Sequence, residues 1–287
     1  MKLHSPTLAA ASLAILLTSA NAQSFITNGL VAYYPFNGNA NDASGTGNNG
    51  TVSGATLIQD RFGTNNAAYS FNGVDNYISF TGVPTSQVDN WTITAWIKPA
   101  SLNQLGIAVA LGYNDTVNGD GHSLGLSSGT GAVTGNQLFG LFGGVAWVNS
   151  GFAFASTNQW YQVVMLRSSG VTTFHVNGDV TPNSTATSPS APTSFRIGSE
   201  NGLWYFNGAI DDVRIYNRAL SSNEVAQLYA IETAGPKITS QPTNVTVNIG
   251  AIASFSVVAT GTAPFNYQWF KDGTGLLRVD LYSSRRS

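Results

Sequence analysis

The sequence predicts an all-β protein whose main domain is a two-sheet sandwich, and three observations lead to this prediction. Short runs of alternating apolar and polar residues recur from Gly29 to about Asn217, with turn clusters between them. No helical periodicity lasts ten residues in that range. Charged residues are 9% of the chain, against about 25% in an average protein. Asn, Ser, Thr and Gly must therefore cover the surface, as in turn-rich β-proteins.

Residues 1–22 are predicted to be a secretion signal. Lys2 supplies the charge, Leu8–Leu17 is the apolar core, and Ala20–Ala22 is a small-residue cleavage site before Gln23. Ten apolar residues are too few to cross a bilayer, which takes about 20. The chain has no cysteine, which excludes disulfides and a lipoprotein anchor. We expect a secreted or cell-surface protein without membrane insertion, and the lack of disulfides favours a bacterial source.

Ten strands are predicted, each from its alternation and its flanking turns. The clearest is Trp91–Lys98, whose odd-numbered residues are apolar and share one face. Asn177-Gly178 is a dipeptide typical of a tight hairpin turn. The predicted strands are Leu30–Phe36, Ala67–Phe71, Tyr77–Phe80, Trp91–Lys98, Ile107–Tyr113, Gln137–Phe142, Trp160–Arg167, Thr172–Val176, Ser194–Gly198 and Trp204–Tyr216.

The last predicted strand carries a carboxylate on its apolar face. Ala209, Val213 and Ile215 share one parity, and the same parity predicts Asp211 among them. Asp212 is then expected on the opposite face, so the two carboxylates cannot act as a pair. After a turn, Ser221 is followed three residues later by Glu224, which is a capping box that predicts a short helix.

Several segments together carry a family resemblance. They are the strand and capped helix at 206–229, the opening at 30–45, the segment 69–78, the strand at 91–99 and the hairpin at 174–178. These segments resemble the laminin G-like (LamG-like) jelly rolls, which have the concanavalin A-like sandwich fold. The resemblance covers about residues 29–231, and we assign 23–231 to this domain. It implies two sheets that form a jelly roll with a short capped helix at its C-terminal end.

The composition changes after Glu232, and residues 232–237 are predicted to be a linker. Residues 238–287 resemble the first strands of an immunoglobulin-like domain, with Trp269 where its buried tryptophan would lie. Such a domain takes about seven strands, and the chain stops near the third. The last ten residues hold three of the 12 basic residues. We interpret the segment as a truncated Ig-like domain with an aberrant basic tail, a functional basic tail being the alternative.

Patterns that match enzyme motifs lack the structural context that the chemistry needs. Gly121–Gly125 has the letters of a hydrolase nucleophile elbow around Ser123, but the Ser/Gly/Thr-rich residues that follow cannot begin the required helix. Gly45–Gly50 has the letters of a dinucleotide fingerprint and is likewise followed by no helix. The net charge of −2 makes nucleic acid an unattractive partner.

Polysaccharide cleavage is the remaining enzyme class. Hydrolysis takes two carboxylates that flank the bond, and the chain has no glutamate before Glu200. A lyase would need a base, for which His175 is a weak candidate. Two histidines far apart in the mature chain, and no cysteine, exclude the usual zinc sites.

Asp211 is the predicted site residue, because a buried carboxylate must be hydrogen-bonded, paired or bound to metal. In one interpretation it accepts backbone N–H groups of the opening loop and ties the two chain ends together. In the other, Asp211 and Asp42 hold a structural Ca²⁺ ion with loop carbonyls, as in some related sandwiches. The sequence leaves both open.

Three aromatic residues beside Gly/Asn-rich loops are predicted to bind a ligand, namely Tyr113, Trp147 and Trp204. Their rings could stack on sugar faces, and packing under loops is the alternative. The predicted function is a secreted, non-catalytic carbohydrate-binding or adhesion module whose partner is an extracellular glycan or a cell-surface polymer. The alternatives are a structural spacer of a large surface protein and a polysaccharide-degrading enzyme.

Overall fold

Two antiparallel sheets contain all fifteen strands that a computed structural model describes up to Tyr216. The structure describes residues 25–81, 90–111, 122–130, 133–142, 146–186, 195–200, 202–235 and short stretches between 237 and 275. The predicted secretion signal and Tyr113 lie outside the described residues.

The first sheet has eight strands, in the order β13-β12-β11-β6-β15-β4-β3, with β1 paired to β15. The second has seven strands, in the order β10-β9-β8-β7-β14-β5-β2. Both are antiparallel throughout, and they form a jelly-roll sandwich as predicted. The strands are β1 Leu30–Tyr34, β2 Thr51–Ser53, β3 Thr56–Ile58, β4 Ala68–Asn72, β5 Tyr77–Phe80, β6 Trp91–Pro99, β7 Gly106–Leu111, β8 His122–Thr130, β9 Val133–Phe142, β10 Ala146–Ala153, β11 Tyr161–Ser168, β12 Val171–Val176, β13 Asp179–Ala186, β14 Phe195–Ile197 and β15 Asn207–Tyr216.

The core lies between the two sheets and follows the predicted alternation. The odd-numbered residues of β6 face it, opposite the even-numbered Leu124, Leu126 and Leu138 of the seven-stranded sheet. Every predicted strand overlaps a strand of the structure. The hairpin at Asn177-Gly178 is also confirmed, because both residues have positive φ, +52° and +86°, and Val176 pairs with Asp179 across the turn.

Five strands were not predicted, namely β2, β3, β8, β10 and β13. They are rich in Gly, Ser, Thr and Asn, so their apolar alternation is weak. Ser123 and Gly125 of the segment that matches a nucleophile elbow by letters are part of β8, which pairs with β7 and β9. The neighbours in the sheet supply the order that its composition alone does not indicate.

A β-bulge in β15 shifts which residues face the core. The pairing of β15 with β6 changes register between Asp211 and Arg214, and Asp212 has a φ of +46°. Ile210 and Val213 therefore both face the core. Asp211 lies opposite Trp96 on the outer side of the eight-stranded sheet. The predicted position of Asp211 on the apolar face was wrong, because a single parity cannot hold through a bulge.

The predicted helix spans Ser222–Thr233 and begins with the expected capping box. The Ser221 N–H donates to Glu224 Oε2 at 2.8 Å, and the Glu224 N–H donates to Ser221 Oγ at 3.3 Å. Arg218 adds an ion pair to Glu224 at 2.9 Å. Tyr229 of this helix stacks on Trp96, with ring centroids 5.8 Å apart, so the helix covers part of the eight-stranded sheet.

The chain divides into two compact units, Met1–Ala230 and Ile231–Ser287. In the second unit, Lys237–Ser240 (β16) pairs with Val258–Thr260 (β17), and Phe270–Lys271 (β18) pairs with Thr274–Gly275 (β19). The Ig-like assignment of this segment stays a prediction. None of the helices that the structure describes is both long and apolar enough to cross a membrane.

Candidate functional site

Two of the predicted ligand-binding residues lie together on the outer side of the seven-stranded sheet. The rings of Trp147 and Trp204 meet edge to face, with centroids 5.2 Å apart and an interplanar angle of 70°. Trp147 also stacks on Phe139, at 5.1 Å and 25°. Both tryptophans are partly exposed, whereas Phe139 beneath them is fully buried. We call this surface, formed by Trp147, Trp204 and Phe139, the tryptophan face.

The strand register explains why Trp147 points outward. Val148 faces the core, so Trp147 before it and Asn149 after it face away. Leu141 on β9 lies directly opposite Trp147 and packs in the same outer cluster, with Ile107 and Ala110 of β7. This small apolar cluster is separate from the core between the sheets. The two tryptophan rings pack against this cluster.

Trp204 reaches this surface through a constrained turn. Glu200 and Leu203 exchange two backbone hydrogen bonds, of 3.0 and 2.7 Å. Trp204 follows with a φ of +49°, and its carbonyl accepts the Ile107 N–H at 2.8 Å. A left-handed conformation costs a non-glycine residue about 1–3 kcal/mol. The surrounding hydrogen bonds maintain this strained backbone, and the result is that the Trp204 ring lies against Trp147.

Amide side chains border the aromatic rings. Asn149 Nδ2 donates a short hydrogen bond to the Gln137 side-chain oxygen, and both residues are partly exposed on the outer face. Asn183 of the other sheet donates to the Asn149 carbonyl at 3.2 Å. These contacts orient the Gln137–Asn149 pair beside Trp147, where spare donors and acceptors remain for a ligand.

A charged end lies farther along the same outer surface. Arg196 on β14 stacks over Tyr77 on β5, with its Cζ atom 4.3 Å from the ring centroid. A register row runs from Arg196 through Ala110, Ser123 and Leu141 to Trp147. Four strand spacings separate its ends, about 19 Å. Ala110, Ser123 and Leu141 in the middle of this row are buried, so its partly exposed residues are the two ends, Arg196 and Trp147.

Glu200 is a buried carboxyl group at the base of the Trp204 turn. It is 2% exposed, and its Oε2 atom has no hydrogen-bond partner among the described residues. Burial raises the pKa of Glu200 to about 7, and the nearby Ser123 hydroxyl opposes that shift. Ser123 Oγ is itself buried and lies close to the carboxyl without the geometry of a direct hydrogen bond. The carboxyl is thus weakly supported in its charged form.

Asp211 has a different environment from the predicted one. Its Oδ2 atom accepts Arg61 Nη1 at 2.7 Å, and Arg61 Nη2 donates to Asp212 Oδ2 at the same distance. The prediction that the adjacent aspartates point to opposite faces was wrong, because the bulge at Asp212 turns both toward one guanidinium. The rings of Phe62 and Trp96 lie within 4.6 and 4.5 Å of the Arg61 Cζ atom.

Two further residues complete this buried network. The Tyr33 hydroxyl donates to Asp212 Oδ1 at 2.6 Å. Arg214 lies over the Tyr33 ring, 4.0 Å from its centroid, and 3.7 Å from Asp212 Oδ1. Burial and the neighbouring Asp212 raise the pKa of Asp211, while Arg61 opposes that rise. The network connects three parts of the chain: β1, the segment between β3 and β4, and β15. Its role is therefore structural.

Asp42 organises the opening loop. Its two oxygens accept the N–H groups of Tyr33, Ser44 and Asn48 at 2.8–3.0 Å, and the hydroxyls of Ser44 and Thr46 at 2.9 and 2.8 Å. Burial alone would raise the pKa of Asp42, but these hydrogen bonds outweigh it and the net pKa is lowered. The backbone-accepting role predicted for Asp211 is therefore performed by Asp42.

The structure gives Asp42 and Asp211 separate partners rather than one shared set of ligands. The N–H group of Tyr33 donates to Asp42, and its hydroxyl donates to Asp212. Within the described ranges, no cluster of three or more His, Cys, Asp and Glu side chains is arranged to hold a metal ion. These residues do not form a calcium site as they stand, and calcium binding stays a prediction.

His175, the weak candidate for a catalytic base, belongs to the other sheet. It lies on β12 of the eight-stranded sheet and is 1% exposed. Burial lowers the pKa of His175, and the Gly178 backbone and Asp179 offset only part of this effect. The imidazole is therefore a neutral, buried group away from the tryptophan face.

The comparisons with known proteins agree with this architecture. A laminin G-like sequence model of the Concanavalin A-like lectin/glucanases superfamily matches residues 72–226. A search of curated protein sequences finds no significant match.

Similar solved structures include domain 4 of the extracellular arabinanase AbnA from Geobacillus stearothermophilus, in complex with arabinotriose. It is 23% identical with a TM-score of 0.56, and the match covers 70% of this chain and 98% of that one. The binding domain of Paraclostridial Mosquitocidal Protein 1 is 19% identical with a TM-score of 0.56, over 71% of this chain and 52% of that one. Trypanosoma rangeli sialidase is 16% identical with a TM-score of 0.54, over 72% and 33%.

These structural likenesses, all below 25% identity, concern the fold, which binding domains and enzymes share. The sequence model spans more than half of the chain and includes β5 to β15 and the start of the capped helix. Together with the two antiparallel sheets, it shows that the chain belongs to the concanavalin A-like lectin/glucanase superfamily.

Proposed function

We propose that the sandwich domain is a secreted, non-catalytic glycan-binding module whose ligand lies on the tryptophan face. The observation that carries this proposal is the contact between Trp147 and Trp204, two partly exposed rings in one surface cluster. Trp204 has a strained, left-handed backbone conformation. Natural binding sites combine aromatic surface with a few oriented polar groups, and strained residues concentrate at such sites.

The surroundings of the rings suit a polar ligand with apolar faces. The Gln137–Asn149 amide pair lies beside Trp147 and offers donors and acceptors to sugar hydroxyls. Leu203, 49% exposed, extends the apolar surface next to Trp204. Arg196, at the far end of the register row, is a second partly exposed polar group, about 19 Å from Trp147. A glycan chain crossing the strands would contact rings at one end and charged or hydroxyl groups at the other.

The distribution of carboxylates supports a binding role over catalysis. The seven strands of this sheet contain no aspartate or glutamate within their described ranges. Glu200 is a buried carboxyl group that lies near Ser123 of this sheet. Glycoside hydrolysis ordinarily uses two carboxyl groups on either side of the bond. A single buried carboxyl next to a serine hydroxyl supports neither the retaining nor the inverting arrangement.

The comparisons add a choice of ligand to test. The arabinanase domain with the same fold was solved with arabinotriose, so arabino-oligosaccharides are a reasonable first probe. The predicted secretion signal at residues 1–22 is consistent with a ligand outside the cell. An extracellular or cell-surface glycan is the partner that we propose.

Affinity electrophoresis in gels that contain soluble arabinan, together with an array of plant, bacterial and animal glycans, tests the proposal. We expect retention of the protein by at least one glycan. Trp147→Ala and Trp204→Ala should each weaken this binding by tenfold or more, because each removes half of the exposed ring pair.

Trp160→Ala is the matched control. Trp160 is also partly exposed, but it contacts Lys98 of the eight-stranded sheet, 5.5 Å from the ring centroid. Equal losses in all three variants would indicate that the tryptophan face is not the site. No binding to any glycan at millimolar concentration would contradict the proposed function and leave the spacer role.

A further inference from the structure

The Trp204 turn rests on a carboxyl group that has little support when charged. Glu200 exchanges two backbone hydrogen bonds with Leu203, and Trp204 is the next residue. The Glu200 side chain is 2% exposed, and its Oε2 atom lacks a hydrogen-bond partner among the described residues. A neutral carboxyl group tolerates such a position far better than a carboxylate does.

Among the residues that the structure describes, no charged group forms an ion pair with Glu200. Arg196 on β14 stacks on Tyr77 of β5 and forms no ion pair with Glu200. The Tyr205 hydroxyl and Arg196 Nη1 lie 3.6 and 4.0 Å from where a Cβ atom on Gly202 would be, so both border the same turn.

Within their described residues, the paired strands β7, β8 and β9 add no charge near this turn. His122 on β8 precedes Ser123 but faces the other side of the strand and stacks on Trp91. Burial lowers the pKa of His122 to about 3, with Arg167 contributing, so its ring is neutral. β7 and β9 contain no ionisable residue.

Ionisation of Glu200 therefore has a structural consequence. A carboxylate must obtain water or new donors, and Ser123 Oγ, which lies near it, forms no direct hydrogen bond to it. Loosening the backbone pairing of Glu200 with Leu203 would open this buried position to water. That pairing positions Trp204, whose left-handed backbone has strain to release once the pairing is lost.

We propose that Glu200 is a proton-controlled positioning residue of the glycan site: its neutral carboxyl fixes the Trp204 ring against Trp147, and its ionisation releases the turn and weakens ligand binding. The inference rests on the proposed function for its biological meaning. The movement of Trp204 is a property of the free protein and is tested separately.

The first experiment follows the tryptophan rings without ligand. The full chain is labelled with 5-fluorotryptophan, and the six ¹⁹F signals are assigned with single Trp→Phe variants. Between pH 5 and 9 we expect the Trp147 and Trp204 signals to shift together with a midpoint near pH 7, where Glu200 titrates. In Glu200→Gln, which stays neutral, both signals should be constant and lie at the low-pH position of the wild type.

The second experiment measures binding to soluble arabinan at pH 5.5 and 8.5. If only the neutral form binds, about 3% of the protein is competent 1.5 pH units above the midpoint, so the affinity falls by up to about 30-fold. Glu200→Gln should bind equally at both pH values. Asp179→Asn, which removes an exposed carboxylate of the other sheet, should retain the pH dependence of the wild type.

The two experiments separate the possible failures. Tryptophan signals that do not titrate, or that titrate unchanged in Glu200→Gln, would overturn the positioning role. A normal titration combined with no arabinan binding at either pH would support control of Trp204 by Glu200 and count against arabinan as the ligand. Binding that is equal at both pH values despite a normal titration would overturn the link between the turn and the site.

Discussion

The Tyr33 hydroxyl donates to Asp212 Oδ1 at 2.6 Å, although 179 residues separate the two along the chain. Tyr33 lies on the first strand and Asp212 in the bulge of the last one, and the two strands pair directly. The beginning and the end of the sandwich domain therefore meet at one buried hydrogen bond. Closing the domain depends on residues that form this contact only after both ends have folded.

Tyr33→Phe should destabilise the domain by about 1–3 kcal/mol, because it leaves a buried carboxylate without one of its donors. Burial strongly raises the pKa of the Tyr33 hydroxyl, so it remains a donor throughout the neutral range. Urea unfolding at pH 7 measures the loss. Tyr69→Phe, which removes a hydroxyl from the neighbouring β4, is the control. A loss no greater in Tyr33→Phe than in the control would refute a stabilising role for this contact.

Arg61→Met should lower the stability of the domain further, by about 3–5 kcal/mol at pH 7, because it leaves two buried carboxylates without their positively charged partner. Without the guanidinium, the raised pKa of Asp211 rises further, since Arg61 is the largest influence that favours its charged form. The variant then loses stability as the pH rises through that raised value. Unfolding at pH 4.5 and 7.5 should show a smaller deficit at the acidic pH. A deficit that is equal at both values would contradict the charge-based explanation.

The sequence was sufficient to predict the sheets and the helix cap, because these depend on local patterns. The alternation in β6, the Asn177-Gly178 turn and the Ser221–Glu224 box each lie within a few residues. The bulge at Asp212 has no such signal, since neither its residue type nor its spacing differs from an ordinary strand. The orientation of both aspartates therefore required the paired strand β6.

The candidate site was predictable in part for the same reason. Trp147 and Trp204 were identified by residue type and by the loops near them, but their contact depends on how two distant segments cross. Glu200 was considered only as a carboxylate for catalysis. Its burial follows from the Leu203 pairing and from Ser123, which is 77 residues earlier in the sequence. Only the folded sheet brings these groups together.

Removing calcium should leave the stability of the protein unchanged. Asp42 already has five donors from its own loop, and Asp211 is paired with Arg61, so neither has free oxygens for an ion that takes six to eight ligands. The measurement is the melting temperature with millimolar chelator and with millimolar calcium. A rise with calcium that Asp42→Asn abolishes would instead establish the predicted metal site, since a ligand that binds the native state stabilises it.

The stability of the wild type relative to Glu200→Gln should depend on pH in a defined direction. Burial raises the pKa of Glu200 from 4.5 to about 7 in the folded state, so the folded protein binds this proton more tightly than the unfolded chain does. Below pH 4.5 both states are protonated and the group makes no pH-dependent contribution. Between pH 4.5 and 7 the unfolded chain alone ionises, and the wild type progressively loses stability.

The shift of about 2.5 units corresponds to a loss on the order of 3 kcal/mol by pH 8. The matching measurement is the free energy of unfolding of both proteins in urea at pH 4.5, 6, 7 and 8. The difference between them should fall steadily over this range and then level off. The variant serves as its own control for Asp42, whose lowered pKa acts in the opposite direction and cancels in the difference. A difference that does not vary with pH would mean that Glu200 titrates as an ordinary exposed carboxyl and that the Trp204 turn is not supported by its proton.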